Sequence, residues 1–156
     1  MLHNYSEGAP NGRIWILWNE AQVDLVDVMD QCITCSVTIG FQRFNLSAVY
    51  ASNDGGERRR LWSHLLIAQN ANAQYPWLIT GDFNVTAHVS ESSNSTSTQN
   101  TYIKEFKECL NALGVFDHIF TGPVFTWSNH QEDSFIAKKL DRVLINDDWQ
   151  DRKSVV

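Results

Sequence analysis

With 156 residues, 43% hydrophobic and 19% charged, the chain is long enough for one core and lacks the composition of a disordered segment. A net charge of −6 and a pI of about 5.2 argue against a protein held on nucleic acid by broad electrostatics. No apolar run reaches the roughly 18 residues of a membrane span, the opening residues lack the basic and apolar regions of a secretory signal, and the odd number of cysteines reads as reduced thiols.

In chain order, residues 13–18, 23–28, 33–39 and 44–50 are rich in β-formers. They predict an antiparallel meander, because the gaps between them are too short for crossover helices. Asp54, three residues before Glu57, predicts a helix start close to a capping box. Leu61, Trp62, Leu65, Leu66 and Ala68 continue that helix as an apolar stripe, with His64 off the stripe and facing solvent. Arg58-Arg59-Arg60 is the one basic run and reads as a solvated helix face in preference to a phosphate patch. Residues 77–80 predict a buried strand. The polar stretch 90–100 predicts a loop with nothing to place in a core. Tyr102, Phe106, Leu110 and Leu113 predict a second helix ended by Gly114, and two further strands are expected at 124–127 and 140–145.

The chemistry concentrates at strand ends. Gly81-Asp82-Phe83-Asn84 follows the buried strand and sets a carboxylate and a carboxamide two residues apart. That pair can orient a water and a phosphate oxygen beside a hard divalent cation, or it can form an Asx-type turn that satisfies only nearby backbone. Tyr50 and Asn53 bring a phenol and a carboxamide to the end of another strand, where both can donate to phosphate oxygens. Trp127 and Asn129 put an indole beside a carboxamide, suited to a sugar or base. Asp141 stands in an otherwise apolar strand, where a charge is costly unless paired, and a carboxylate there is suited to hold a histidine in one tautomer.

Val-Tyr-Ala-Ser-Asn at 49–53, Trp-Leu-Ile-Thr-Gly-Asp-Phe-Asn at 77–84, Phe-Thr-Trp-Ser-Asn at 125–129 and Leu-Asp-Arg at 140–142 occur in an order that resembles the endonuclease/exonuclease/phosphatase superfamily. Within it they are similar to the endonuclease domain of plant non-LTR (LINE-type) retrotransposons, over nearly the whole chain from Gly12 to Trp149. The resemblance implies a DNase I-like four-layered α/β sandwich: two mostly antiparallel sheets face to face, with helices outside. It also implies phosphodiester hydrolysis with Mg²⁺ or Mn²⁺, DNA as the substrate, a reverse transcriptase domain in the full element, and intracellular, nuclear action.

By position, Asp82 matches the acid that activates or orients the attacking water and holds the metal. Asn84 matches the residue that positions water and phosphate, and Tyr50 the tyrosine beside the scissile phosphate. Asp141 matches the aspartate that orients the catalytic histidine, and Trp127 and Asn129 would face the DNA groove. A phosphatase of lipid or inositol phosphates is the related alternative.

The departures carry their own expectations. The family's early Glu metal ligand and its closing Ser-Asp-His have no counterpart here, and Glu7 and Glu20 stand in the wrong context to substitute. Asp117-His118 precedes Phe-Thr-Trp and Leu-Asp-Arg where the family's histidine follows them, so it reads as a structural pair. The expectation is a single incomplete domain lacking its first strands and its last, with impaired catalysis or a non-catalytic binding role. Cys32 and Cys35 have CxxC spacing, but in a strand their side chains point to opposite faces, so they read as structural. The Asn-x-Ser/Thr sequons at Asn45, Asn84 and Asn94 read as coincidental without a secretory signal.

Overall fold

The computed structural model describes residues 1–3, 12–94 and 97–151. The strands are β1 (Leu2–His3), β2 (Trp15–Ile16), β3 (Gln22–Met29), β4 (Cys32–Ile39), β5 (Gln42–Tyr50), β6 (Trp77–Asp82), β7 (Val115–Asp117), β8 (Trp127–Ser128), β9 (Ala137–Lys138) and β10 (Asp141–Asn146). The helices are α1 (Gly55–Asn72), α2 (Ser97–Leu113) and α3 (Asp147–Asp151), with a single 3₁₀ turn at Val89–Glu91. Six strands form one sheet in the order β3-β4-β5-β6-β10-β7. β3, β4 and β5 are the predicted antiparallel meander. β5 and β6 pair in parallel, which the crossover through α1 makes possible, and β10 pairs antiparallel with both β6 and β7.

The sequence at 13–18 does not join this meander. Only Trp15–Ile16 is extended, and it pairs with β1 in a separate two-stranded sheet. Its Ile14 and Ile16 instead cover Ile33, Cys35 and Val37 on the sheet face away from the helices. Cys32 packs in the other cluster, under the helices, so the two CxxC thiols do lie on opposite faces. β7, β9 and α3 are too short for their sequences to have announced them.

Helix α1 starts where the capping pattern places it: Asp54 accepts from the Glu57 N–H at 2.9 Å. Leu61, Trp62 and Leu65 are buried against the sheet, whereas Leu66 turns partly to solvent. His64 is not free in solvent: it is half-buried, with its Nε2 3.2 Å from Asp27 Oδ2 of β3. Trp62, Phe83 and Phe106 stack at centroid separations of 4.9 to 6.5 Å, which joins α1, the end of β6 and α2 in one aromatic core. Gly114, at φ +66°, closes α2 as expected.

The polar stretch at 90–100 departs most from its sequence reading. Residues from Ser97 onward are helical, and Glu91 is buried. Its carboxylate accepts from Arg142, from the Ala87 N–H at 2.7 Å and from the His88 N–H at 3.1 Å. Asp117 joins from β7, accepting from Arg142 at 2.6 Å and lying 3.3 Å from Lys139 Nζ. This buried network confirms Asp117 as structural. Asn45 is likewise buried, donating to Asn72 Oδ1 at 2.7 Å, which removes it as a glycosylation acceptor. Among the described residues, no helix is long and apolar enough to cross a membrane.

Candidate active site

Three of the residues singled out in the sequence lie in one row across three adjacent strands. Tyr50 of β5 is the register partner of Asp82 of β6, and Asp82 is the register partner of Asp141 of β10. Partners in register project to the same face, here the face opposite the helices. Their neighbours Val49 and Arg142 turn the other way, Val49 into the helix-covered core and Arg142 over the Phe106 ring. The row stands at one end of the sheet's inner strands, where β5 and β6 finish and β10 begins.

Gly81 is what permits it. It adopts φ +137°, and a Cβ there would lie 1.9 Å from the Val49 carbonyl oxygen, so only glycine lets β6 approach β5 so closely. Phe83 then plugs into the core with no exposed surface, and its N–H donates to the Leu140 carbonyl at 2.9 Å. Asn84 takes a left-handed conformation at φ +51°, which asparagine tolerates better than most residues.

The Asx turn weighed in the sequence is present: the Asn84 N–H donates to Asp82 Oδ1 at 2.8 Å. The Asn84 carboxamide donates to the Ala51 carbonyl at 2.6 Å and ties the turn to the end of β5. Among the described residues no donor reaches Asp82 Oδ2 or Asn84 Oδ1, so each group is anchored by one atom and presents the other.

Burial raises the Asp82 carboxyl above its usual range and the Asp141 charge raises it further, against the opposing Asn84 N–H. Two carboxylates on adjacent strands repel one another, and a divalent ion would relieve that repulsion. Asp82, Asp141 and the Asn84 carbonyl are all-oxygen donors, and magnesium is commonly held by one or two carboxylates while keeping several waters. The residues present fit such an ion, although among the described residues no group of three or more His, Cys, Asp or Glu is gathered to hold one.

Asp141 is exposed at the first position of β10, not enclosed within the strand as its apolar neighbours suggested. Its main chain is fixed by a residue the sequence reading passed over. Thr126 Oγ1 accepts from the Leu140 N–H at 3.0 Å and the Asp141 N–H at 3.1 Å. Thr126 sits inside Phe-Thr-Trp, where attention falls on the indole. A cavity of about 390 Å³ adjoins Asp141 and includes Thr126, His118, Phe120 and Lys139 in its lining.

Trp127 is exposed on β8, which pairs only with β9 in a two-stranded sheet. Asn129 spends its carboxamide on that hairpin, donating to the Ser134 carbonyl at 2.7 Å and accepting from the Ile136 N–H at 2.9 Å. Tyr50 lies under the Arg13 guanidinium, 5.7 Å from its ring centroid. Asn53 lines a second cavity, of about 210 Å³, together with Asn84. The arrangement brings Tyr50, Asp82, Asn84 and Asp141 together, with Asn53 at their flank and the Trp127 hairpin on separate strands.

Among solved structures, the chain is similar to the endonuclease domain of TRAS1, a telomere-specific non-LTR retrotransposon. The TM-score is 0.63 at 14% sequence identity, covering 83% of this chain and 58% of that one. It is also similar to a beta-hairpin deletion mutant of beta toxin from Staphylococcus aureus, with a TM-score of 0.51 at 16% identity over 76% of this chain and 44% of the toxin. At such identities the likeness is one of fold, and the chain spans less than two thirds of either neighbour. No curated protein sequence matches the chain. The chain thus shares the fold of these neighbours, and the sequence pattern of the Endonuclease/Exonuclease/phosphatase family matches residues 6–156. The chain belongs to that family.

Proposed function

We propose that this chain carries the hydrolytic site of a metal-dependent DNA-nicking endonuclease of the retroelement type, working beside a reverse transcriptase domain. The observation that supports the reading most is the register-fixed row Tyr50–Asp82–Asp141 beside a half-anchored Asn84. Asp82, with Asp141 close by, would hold a Mg²⁺ or Mn²⁺ ion, which would supply Lewis-acid stabilisation of a phosphoryl oxygen. The protein groups do the rest. Asp82 orients and deprotonates the attacking water, Asn84 Oδ1 positions that water, and the Tyr50 hydroxyl donates to the phosphate. Trp127 and Asn53 contact the DNA on either side, and Asn129 holds the hairpin that presents Trp127.

Among the described residues no hydrogen bond is made to the Asp141 carboxylate, which on this reading orients an acid–base group. The test is nicking of supercoiled plasmid with Mg²⁺ or Mn²⁺, comparing the chain with Asp82→Asn. Metal-dependent nicking that falls by about two orders of magnitude in Asp82→Asn is expected, as when one member of a catalytic unit is lost. Nicking of equal rate in the variant overturns the assignment, and DNA binding with no nicking leaves a binding module.

A further inference from the structure

The smaller cavity, of about 210 Å³, lies against the Asn84 side of the site. Its chemistry runs opposite to the rest of the molecule. In a chain of net charge −6, its lining contains two cations, Arg58 and Lys138, with Asn53, Asn84 and Thr86, and no carboxylate.

Arg58 is only 4% exposed, yet among the described residues no carboxylate lies within ion-pair distance of it. It donates instead to the carbonyls of Ser52 and Asn53, at 3.0 and 2.8 Å. Its guanidinium stacks 5.0 Å from the centroid of the Tyr102 ring, and that ring fits there because residue 55 is glycine: a Cβ would meet Tyr102 at 2.2 Å. A buried cation is normally matched by a buried anion. Here the protein places the positive charge rigidly, and the carboxylates that act on it, Asp54 and Glu105, do so from beyond ion-pair contact and outside the cavity lining. Lys138, whose ammonium makes no ion pair among the described residues, lines the same space.

We infer that this cavity is an anion subsite for a phosphate of the substrate strand adjacent to the one being cleaved, gripped by Arg58 and Lys138 with the Asn53 carboxamide. This rests on the endonuclease reading and narrows its substrate class. A site with a second phosphate subsite takes a polymeric phosphodiester in preference to a phosphomonoester or an isolated lipid headgroup. It also explains how an acidic protein holds a polyanion, through one local pocket where a broad basic surface is absent.

The measurement is binding of a fluorescent single-stranded DNA oligonucleotide to the whole chain in EDTA, across a series of salt concentrations. Lys138→Gln is expected to weaken binding several-fold and to flatten the slope of log K against log salt by about 0.7, the increment for one phosphate on a single strand. Lys104→Gln removes the same charge from an exposed position on α2 outside the cavity and is expected to leave the slope unchanged. Arg58→Lys, checked for folding by circular dichroism, keeps the charge and so the slope, while losing affinity through its lost fork geometry.

An unchanged slope in Lys138→Gln, or an equal change in Lys104→Gln, overturns the proposal. So does inorganic phosphate that competes as tightly as the oligonucleotide, because that marks a simple anion pocket. The readout needs no metal and no turnover. If nicking proves independent of Asp82 while the Lys138 slope effect holds, the catalytic assignment falls and the subsite remains.

Discussion

Gly81 and Phe83 show how two residues without reactive groups decide whether the reactive ones meet. Gly81→Ala forces a Cβ into the Val49 carbonyl in a backbone region that L-residues avoid. We expect a loss on the order of 2–4 kcal/mol in chemical denaturation, with the Tyr50–Asp82 pairing disrupted first. Phe83→Ala empties the centre of the Trp62–Phe83–Phe106 stack and should cost about 3–5 kcal/mol, read as a lower denaturation midpoint. The chemistry-bearing members of Gly-Asp-Phe-Asn were legible because the motif is contiguous. The reason for its glycine was not, since the Val49 carbonyl it must clear lies more than thirty positions away and is brought near only by parallel pairing. Arg58 was misread for the opposite reason: inside a run of three arginines it looks like its exposed neighbours Arg59 and Arg60, and only the bend of the chain at residues 52–54 buries it.

Among the elements, β10 carries the most consequence. Its two faces do different work: Asp141 faces the site, while Arg142 faces the core and binds Glu91 and Asp117. Arg142→Met leaves Lys139 as the one cation beside both carboxylates among the described residues, and breaking a buried pair in this way costs about 3–5 kcal/mol. A thermal melt that moves by less than a few degrees would contradict that.

Glu91 gives the network a pH signature. Burial alone would raise its carboxyl, but the Arg142 hydrogen bond and charge, with the Ala87 and His88 N–H groups, hold it below the ordinary range. A folded-state value below the unfolded one means stability that is complete above the ordinary carboxylate range and is lost as pH falls through the depressed value. Acid titration of stability should therefore be shallower in Glu91→Gln than in the parent chain. Composition concealed this element, because a polar stretch reads as loop whether or not one of its carboxylates meets a buried arginine across 51 positions.

Over the whole molecule, the sheet is a reporter of its own integrity. Cys32, Cys35 and Cys109 are all buried, and burial pushes their thiols up to about 12, 11 and 12. At mildly alkaline pH the native chain should leave Ellman's reagent unreacted, and denaturant should release three equivalents together; a thiol that reacts early marks local opening. The separation of Cys32 and Cys35 onto two faces was legible from strand periodicity, as was the meander from residue 23 onward; helical periodicity showed α1 and the body of α2, while the polar start of α2 read as loop. What periodicity could not supply was the β6–β10–β7 order, which depends on pairings between distant short segments.

The row of site residues marks one end of the strands, and the β4–β5 turn at Gly40 and Phe41 therefore lies at the opposite end, the full length of β5 away. Phe41 is fully exposed there, and Gly40 has open space where a side chain would project. That turn is a natural handle: a dye, a biotin or a bead attached at Phe41 would hold the protein with the row of site residues facing outward, open to whatever is offered to it.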